Sequence, residues 1–310
     1  MLRRQRGLVN RMERDRSISA PLWCSIVAAA YLAPWSTLAQ SGQRPILFDS
    51  DRNGRLEIYA LDSEMSAPPR QLTKTAGEGS SSFAAWSPDS RRIAFILTVD
   101  RNADIAVMEA DGSNVRRLTT HPSADAYPAW SPDGRRIAFV ASRDGNREIY
   151  VMEADGSNQR NLTNHSAFDS RPAWSPDGKY ILFGSDRDQS GRPAPNLYVM
   201  REDGSEVRRL TNHGRADMVA RYSPDGRSIV FASNRGGSQQ VYMMAADGSS
   251  VRQLTDTPAS NGGPHWSPDG QRIVFNSDRD GNSELYIMAA DGSNLRRLTS
   301  HPASDVHASW

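Results

Sequence analysis

Hydrophobic residues in this chain come in runs of about five, separated by short polar segments rich in Gly, Pro and Asp. Arg136–Val140 and Glu148–Met152 are two such runs, with Ser, Arg, Asp, Gly and Asn between them. Runs of this length suit short β-strands, and the frequent turn residues leave no window long enough for a helix. The pattern therefore predicts an all-β chain and argues against helical repeats.

One pentapeptide, Trp-Ser-Pro-Asp-Gly, recurs along the chain. Identical copies begin at Trp130, Trp174 and Trp266, near-copies begin at Trp86 and Tyr222, and a bare Trp310 ends the sequence. The successive steps are 44, 44, 48, 44 and 44 residues, and the four extra residues fall within Asp188–Pro195. A period in this range is typical of a repeat architecture.

A single unit, residues 127–163, contains four predicted strands. Ser-Pro-Asp-Gly between the first two is a tight turn, because Pro presets φ and Gly accepts a left-handed conformation. Asp155-Gly156 is a hairpin signal between the last two. The predicted strands are Tyr127–Trp130, Arg136–Val140, Glu148–Met152 and Arg160–Thr163. Four short antiparallel strands in about 44 residues describe one blade of a β-propeller.

The number of blades follows from the spacing of Phe residues, which stand nine positions after each Trp or Tyr. A sixth Phe, Phe48, lacks its Trp because Ala39 occupies that position, whereas Val306–Trp310 resembles a first strand without the other three. The sequence therefore predicts an all-β, six-bladed propeller of four-stranded antiparallel blades, in which the C-terminal strand completes blade one. Closure of this kind removes unpaired strand edges. The predicted blades span residues 46–73, 83–119, 127–163, 171–211, 219–255 and 263–299.

Residues 1–39 have the pattern of an export signal. Six Arg residues precede the apolar stretch Pro21–Tyr31, and small residues lead to a cleavage site near Ala39/Gln40. We therefore expect 1–39 to be a cleaved signal peptide and 40–310 to be a single propeller domain, periplasmic or secreted. A retained membrane anchor is the alternative.

Without the predicted signal peptide, the balance of charged residues shifts from slightly basic to slightly acidic. The remaining chain has 31 Lys and Arg, 34 Asp and Glu and no cysteine, because Cys24 is the only one. Such a chain needs no disulfide after export. Its near-neutral charge argues against nucleic acid as a partner.

Residues that recur in nearly every unit are expected to serve the scaffold. The repeated Trp residues should pack between adjacent blades. In five units an Arg follows the Phe by four positions, and a Tyr follows this Arg by seven or eleven. Blade two has Val99 and Ala106 instead, so both members are missing together. We therefore expect the Arg and Tyr of a blade to touch. The pairs are Arg52 with Tyr59, Arg143 with Tyr150, Arg187 with Tyr198, Arg235 with Tyr242 and Arg279 with Tyr286.

A second recurring set lies between the fourth strand of one unit and the first strand of the next. Propeller topology places these connections on the same face as the Arg set, around one channel mouth. Two interpretations stay open: a ring of hydrogen bonds between blades, or an acidic-rimmed funnel that focuses a field on a ligand. Oxygen ligands around an axis would suit Ca²⁺, although no cofactor is expected. The set comprises Asp125, Asp169, Asp217, Asp305 and Asn261, with His121, His165, His213 and His301 four residues before the aspartates.

Positions that break the repeat are better candidates for a binding site. The residues three and one before each Trp or Tyr differ from blade to blade, and alternation places them on one face of the strand. That face points either into the channel or toward the neighbouring blade. The candidate binding residues are therefore Tyr127, Arg171, Arg221, His265 and His307 together with Asp125, Asp169, Asp217, Asn261 and Asp305.

The combined motif W-S-P-D-G-x-x-I-x-F, S-x-R-x-G, I-Y-x-M-x-x-D-G and R-x-L-T-x-H resembles the TolB-type propeller family, from Ile46 to Trp310. This resemblance implies a six-bladed periplasmic propeller that, in the Tol-Pal envelope system, binds the peptidoglycan-associated lipoprotein. TolB carries a separate α/β domain before its propeller, with an N-terminal segment that contacts TolA. Here the predicted leader abuts blade one, so we do not expect the TolA role.

Catalytic motifs are lacking: the sequence has no G-x-S-x-G elbow, no cysteine nucleophile after the leader, no H-E-x-x-H and no phosphate-binding loop. We therefore predict a monomeric, non-enzymatic binding module that docks an envelope protein or lipoprotein at one channel mouth. After leader cleavage it would not be an integral membrane protein. The alternatives are a metal-dependent lactonase-like or sugar-hydrolase-like enzyme that uses the Asp/His ring, and a glycan-binding propeller.

Overall fold

Six antiparallel sheets are arranged as blades around a central channel. The structure, a computed structural model, describes residues 44–188 and 194–310. Within this part of the chain, 24 strands form six four-stranded sheets, as the repeat predicts. In each blade the first strand lines the channel and the fourth, of two residues, lies at the rim.

The strands follow the chain blade by blade. Blade one contains β1 (Ile46–Ser50), β2 (Glu57–Leu61) and β3 (Arg70–Gln71), and blade two contains β4 (Ser80–Trp86), β5 (Arg92–Val99), β6 (Asn102–Glu109) and β7 (Arg116–Arg117). Blade three contains β8 (Asp125–Trp130), β9 (Arg136–Ala141), β10 (Glu148–Glu153) and β11 (Arg160–Asn161), and blade four contains β12 (Asp169–Trp174), β13 (Tyr180–Ser185), β14 (Asn196–Arg201) and β15 (Arg208–Arg209). Blade five contains β16 (Asp217–Tyr222), β17 (Ser228–Ser233), β18 (Gln240–Ala245) and β19 (Arg252–Gln253), and blade six contains β20 (Asn261–Trp266), β21 (Arg272–Ser277), β22 (Glu284–Ala289) and β23 (Arg296–Arg297). The last strand is β24 (Asp305–Ser309).

The ring is closed by β24, which pairs antiparallel with β1. Leu47 lies opposite Ser309 and Ser50 lies opposite Asp305. The sheet order β24-β1-β2-β3 confirms that the C-terminal strand completes blade one.

Packing between blades depends on the repeated Trp residues. Trp130 of blade three clusters with Ile105 and Val107 of blade two, and its counterpart Trp310 clusters with Val274 of blade six. These contacts confirm the predicted role of the Trp set. Loss of one such side chain is expected to lower the free energy of unfolding by about 3–5 kcal/mol.

The turn after each Trp is fixed by the Ser-Pro-Asp-Gly sequence. In blade three the Ser131 hydroxyl donates to the Asp133 carboxylate (2.6 Å), and Asp133 accepts the backbone N–H of Arg135 (3.0 Å). Gly134 has φ 68°, in the left-handed region that the turn requires. These turns define the Ser-Pro face of the propeller. The opposite face, where the inner strands begin at Asp125 and its equivalents, is here called the Asp face.

Each of the six inner strands contains a β-bulge at the same place. In β8 the register with β9 shifts between Ala126 and Ala129, so one extra residue is inserted. The residue three before each Trp or Tyr adopts a left-handed conformation, which is unusual for residues other than Gly. The six φ values are 53° at Phe83, 55° at Tyr127, 54° at Arg171, 53° at Val219, 59° at Gly263 and 55° at His307.

Blade two differs from the other blades at the Asp face. Its strands β5 and β6 are eight residues long, and Asp100 and Arg101 form the turn between them with φ 51° and 65°. This hairpin extends two residue pairs beyond the six-residue strands of blades three to six. The blade that lacks the repeated Arg and Tyr therefore has a longer hairpin at this place.

The predicted signal peptide, residues 1–39 with its cleavage site near Ala39/Gln40, lies outside the described residues, as does most of the insertion at 189–193. Within residues 44–188 and 194–310, no helix is long and apolar enough to span a membrane.

Candidate functional site

At the Asp face, five blades contain the same arrangement of an Arg, a carboxylate or amide and two aromatic rings. In blade four the Arg187 guanidinium lies 5.2 Å from the centre of the Tyr198 ring and 5.1 Å from that of Phe183. Its Nη2 donates to the Asp169 carboxylate at 2.9 Å. The predicted Arg–Tyr contact is therefore confirmed. The equivalent ion pairs are Arg52–Asp305, Arg143–Asp125 and Arg235–Asp217, and blade six pairs Arg279 with Asn261.

These Arg pairs lie within single blades, so the interpretation as Asp–Arg bonds between blades is wrong. Asn261 does bond across blades, because its Nδ2 donates to Gln240 Oε1 of blade five at 2.9 Å. The expected acidic rim is also wrong, because Asp125, Asp169, Asp217 and Asp305 are 0% exposed. Burial raises the pKa of both Asp125 and Asp169 above the usual value. A bond from Arg143 opposes the rise at Asp125, and bonds from Ser185 and Arg187 oppose it at Asp169. A partner at this face would meet the arginines rather than the carboxylates. A binding role for Asp125, Asp169, Asp217, Asn261 and Asp305 stays a prediction.

The histidines of the same connections fold back onto their own loops. The Nδ1 atoms of His121, His165 and His301 each accept a backbone N–H two residues further on, at 3.0 Å. They therefore stabilise turns. In the described part of the chain, no group of three or more His, Cys, Asp or Glu side chains is placed to hold a metal ion.

The residues that break the repeat line the central channel. Positions three and one before each Trp or Tyr border a cavity of about 350 Å³. The sequence did not decide whether this face of the strand points into the channel or toward the neighbouring blade, and the structure shows that it points into the channel. Tyr127, Arg171, Arg221, His265 and His307, all predicted as candidates, come together at this cavity.

The layer of the cavity nearer the Asp face is a chain of stacked rings that ends in a cation. Phe83 stacks on His307 with ring centres 3.8 Å apart, and meets Tyr127 edge-on at 4.7 Å. The Arg171 guanidinium lies 4.5 Å from the centre of the Tyr127 ring and 5.3 Å from that of Phe83. These contacts are cation–π interactions. We call Phe83, Tyr127, Arg171 and His307 the aromatic layer.

One buried carboxylate supports this layer from behind. His307 Nδ1 lies 2.8 Å from Asp49 Oδ2, and the Phe83 backbone N–H donates to the same oxygen at 2.9 Å. Burial raises the pKa of Asp49, and the bond and charge of His307 oppose that rise. Asp49 therefore fixes the position of both rings.

The layer nearer the Ser-Pro face contains a second cation. Burial lowers the pKa of Arg221 to about 10, with a further contribution from the charge of Arg171, so Arg221 is still protonated at neutral pH. Burial and the charge of Arg221 lower the pKa of His265 to about 4, so this imidazole is neutral. Trp310 donates its backbone N–H to His265 Nδ1 at 3.3 Å.

Phe168 is a large aromatic side chain exposed on the Asp face. It is 54% exposed and precedes β12, three residues before Arg171. Its backbone N–H donates to the Asp186 carboxylate at 2.8 Å, which fixes the loop. The equivalent residues of the other blades are Ser80, Ala124, Ala216, Ser260 and Ser304.

The sequence profile of the TolB beta propeller domain matches residues 69–145, 188–261 and 251–310, which is more than half of the chain. The chain belongs to this family. The profile of the Tricorn protease N-terminal beta propeller domain also matches residues 110–204. The family membership confirms the resemblance drawn from the repeat motif.

Individual TolB proteins are similar to parts of the chain. The Tol-Pal system protein TolB of Anaeromyxobacter dehalogenans strain 2CP-C is 39% identical over 83 residues, 26% of this chain and 18% of that protein. The match therefore spans about a fifth of the curated relative. The crystal structure of TolB from Acinetobacter baumannii has a TM-score of 0.76 at 25% identity, covering 89% of this chain and 69% of that one.

An enzyme shares the fold. Oligogalacturonate lyase in complex with manganese has a TM-score of 0.59 at 17% identity, covering 85% of this chain and 76% of the lyase. At this identity the likeness concerns the propeller fold alone.

Three residues of the TolB-type channel and Asp face were not among the predicted candidates. Phe168 was detectable as the one aromatic among small residues at its repeat position. Asp49 was detectable as the one acid where other blades have Ile96, Val140, Gly184, Ala232 and Asn276. Phe83 occupies a variable position, but its apolar side chain gave no chemical signal of a site.

Proposed function

We propose that this propeller is a protein-binding module of the Tol-Pal kind that acts in the periplasm. Its Asp face would dock an envelope protein, for which the peptidoglycan-associated lipoprotein is the candidate. Membership of the TolB propeller family supports the class of function. The matched relative is named as a Tol-Pal system protein.

The observation that carries the choice of face is the exposure of Phe168. A large aromatic residue that is 54% exposed on a fixed loop is typical of an interface anchor. It precedes the inner strand that carries Arg171, whose guanidinium has no carboxylate partner within the described residues. An apolar anchor on the loop before a strand that carries such a cation suits a partner segment with both an acidic residue and an aromatic or aliphatic one.

The Ser-Pro face offers less to distinguish one partner from another. Its turns repeat from blade to blade, and the Asp residues in them are held by their own Ser hydroxyls, as in Ser175 with Asp177 (2.6 Å). A surface repeated in this way presents several similar positions rather than one defined site.

The test is the affinity of the purified protein for the peptidoglycan-associated lipoprotein of the same organism, measured by calorimetry. Phe168→Ala and Arg171→Glu should each weaken binding at least tenfold, which corresponds to about 1–3 kcal/mol for a buried contact. Arg171→Glu should also make binding more sensitive to salt.

Matched controls lie on the Ser-Pro side of the ring. Val115→Ala removes an apolar side chain that is 51% exposed, and Asp133→Lys reverses a charge in a Ser-Pro-Asp-Gly turn. Both should leave the affinity unchanged. If these controls lose the lipoprotein while folded and the Phe168 variant retains it, the docking face is the opposite one. Turnover of a lactone or acidic sugar that EDTA abolishes would instead favour the enzyme alternative.

A further inference from the structure

The channel cavity has two walls of different chemistry. Next to the Ser-Pro face, blades two to four contribute Ala85, Ala129 and Ala173, whereas blades five and six contribute Arg221 and His265. The aromatic layer covers the alanine side, because its bulky members come from blades one to four and the corresponding residues of blades five and six are Val219 and Gly263. The layer next to the Ser-Pro face is therefore apolar on one side and cationic on the other, and the aromatic layer adds a further cation, Arg171.

Arg221 has no anionic partner in the described chain. Its Nη1 donates to the backbone carbonyl of Ala220 at 2.9 Å, and no carboxylate lies within ion-pair distance. The described residues that line the cavity include Arg44, Arg171 and Arg221 but no Asp or Glu. Asp49, which lies behind the lining residue His307, is already bonded to it.

The contrast with the Asp face shows that this situation is unusual within the molecule. There each arginine of the repeated set, such as Arg235, has a carboxylate or amide partner in its own blade. Enclosing a guanidinium without a counter-charge costs free energy, so proteins rarely do so unless another group supplies the charge. A binding site held at some expense of stability has this property.

We propose that the channel cavity binds a small organic carboxylate. The carboxylate group would accept hydrogen bonds from Arg221, whose planar fork of donors matches two oxygens. The apolar body would lie against Ala129 and Ala173, beneath Tyr127 and Phe83. A volume of about 350 Å³ lies in the range of small-molecule sites and limits the ligand to roughly the size of an aromatic acid or a single amino-acid residue.

The probes are benzoate and benzamide, which have nearly the same shape and differ in charge. Thermal unfolding of the purified protein is followed with increasing probe at fixed ionic strength and fixed chloride. Because a ligand that binds only the folded state stabilises it by mass action, benzoate should raise the melting temperature in a saturable manner. Benzamide should produce less than a quarter of that shift.

Two variants locate the effect. Arg221→Met removes the cation that would bind the carboxylate, and Ala129→Met fills the apolar side while leaving the charges in place. Each should abolish the difference between benzoate and benzamide. Arg116→Met, the same substitution at an exposed rim position whose Nη1 donates to the Asp155 carbonyl, should retain it.

Equal shifts for the two probes, or a full benzoate response in Ala129→Met, would overturn the proposal. If Arg221→Met does not fold, the benzoate response of Ala129→Met still tests whether the probe binds in the cavity. Without ligand, Arg221→Met should melt no lower than Arg116→Met, because it removes an unpaired buried charge. A drop of more than a few degrees would mean that Arg221 serves the scaffold.

This test is independent of the docking proposal. Arg221 and Ala129 lie in the layer of the channel nearer the Ser-Pro face, whereas the lipoprotein experiment changes Arg171 in the layer nearer the Asp face and Phe168 outside the cavity. A benzoate response without lipoprotein binding would contradict the docking proposal alone. Lipoprotein binding without a selective benzoate response would contradict the cavity proposal alone.

Discussion

Asp169 and Arg171 stand two residues apart on β12, yet they belong to different parts of the molecule. Asp169 is fully buried and paired with Arg187 of its own blade, and most other blades repeat the arrangement. Arg171 faces the channel, stacks on Tyr127 and has no carboxylate partner in the described residues. A charge that its own blade neutralises serves the scaffold, whereas a charge left without a partner inside the channel is available to a ligand.

The largest effect is expected where the scaffold is opened. Deleting residues 306–310 removes most of β24 and the buried Trp310, and leaves an edge of β1 unpaired. The loss should exceed the roughly 3–5 kcal/mol expected for the Trp side chain alone. Calorimetry should show a broad, non-cooperative transition, and size-exclusion chromatography should show aggregates. A truncated protein that melts within a few degrees of the full chain would contradict closure through β24.

Breaking a repeated ion pair should come next. Asp169→Ala leaves Arg187 without its carboxylate in a largely buried site, which should cost about 3–5 kcal/mol in urea unfolding. Asp169→Asn should cost much less, because Asn261 already pairs with Arg279 through an amide oxygen at 2.7 Å. The control Asp177→Ala, in an exposed turn, should cost about 1 kcal/mol or less. Equal losses in the two alanine variants would remove the distinction between buried pairs and turn carboxylates.

His265 gives the channel a pH dependence. Its pKa is about 4 in the folded protein and about 6.5 when unfolded, so between these values the unfolded chain binds more protons. The free energy of unfolding should therefore fall as pH drops from 6.5 toward 4, by up to about 3 kcal/mol.

The measurement is the difference in stability between the native protein and His265→Gln at each pH. Asp49, Asp125 and Asp169 have raised pKa values and act in the opposite direction, but they are common to both proteins and cancel. A difference that does not change between pH 6.5 and 4.5 would mean that His265 is not held neutral.

The smallest effect is expected at Arg171. Arg171→Leu loses the stacking on Tyr127 but also removes the desolvation of an unpaired charge, so the free energy of unfolding should change by less than about 1 kcal/mol. Urea unfolding alongside Asp169→Ala tests the comparison directly. A loss as large as that of the aspartate variant would make Arg171 part of the scaffold.

Much of the fold was predictable because the same sequence pattern recurs in nearly every blade, so each blade gives independent support for the same four strands. The spacing of the Trp and Phe residues indicated six blades, and the final Trp310 stood in register with the missing first strand. In the reference blade the first strand begins at Asp125, two residues before the predicted start, and the fourth is only Arg160–Asn161. Strand ends depend on pairing partners, which spacing alone does not specify.

The burial of the aspartates at the Asp face was not predictable from the alternation of side chains along a strand. Counting by twos places Asp125, Tyr127 and Ala129 on one face, but the bulge inserts a residue between Ala126 and Ala129. Asp125 therefore shares a face with Trp130, and the acids turn into the blade. The channel-lining set, in contrast, was found from its variability, which does not depend on strand phase.

The bulge shared by the inner strands has a consequence for how such a channel can change. The residue three before each Trp or Tyr carries a ring in three blades, and a guanidinium, a branched aliphatic side chain or only the hydrogen of glycine in the others. All six residues have nearly the same left-handed φ. The backbone there is set by the strand and not by the side chain it carries. Six equivalent positions thus face the channel axis. A substitution at any of them changes the side chains that line the channel and leaves the backbone of the propeller unchanged. A propeller built in this way can acquire a new specificity through a few substitutions while its architecture stays the same.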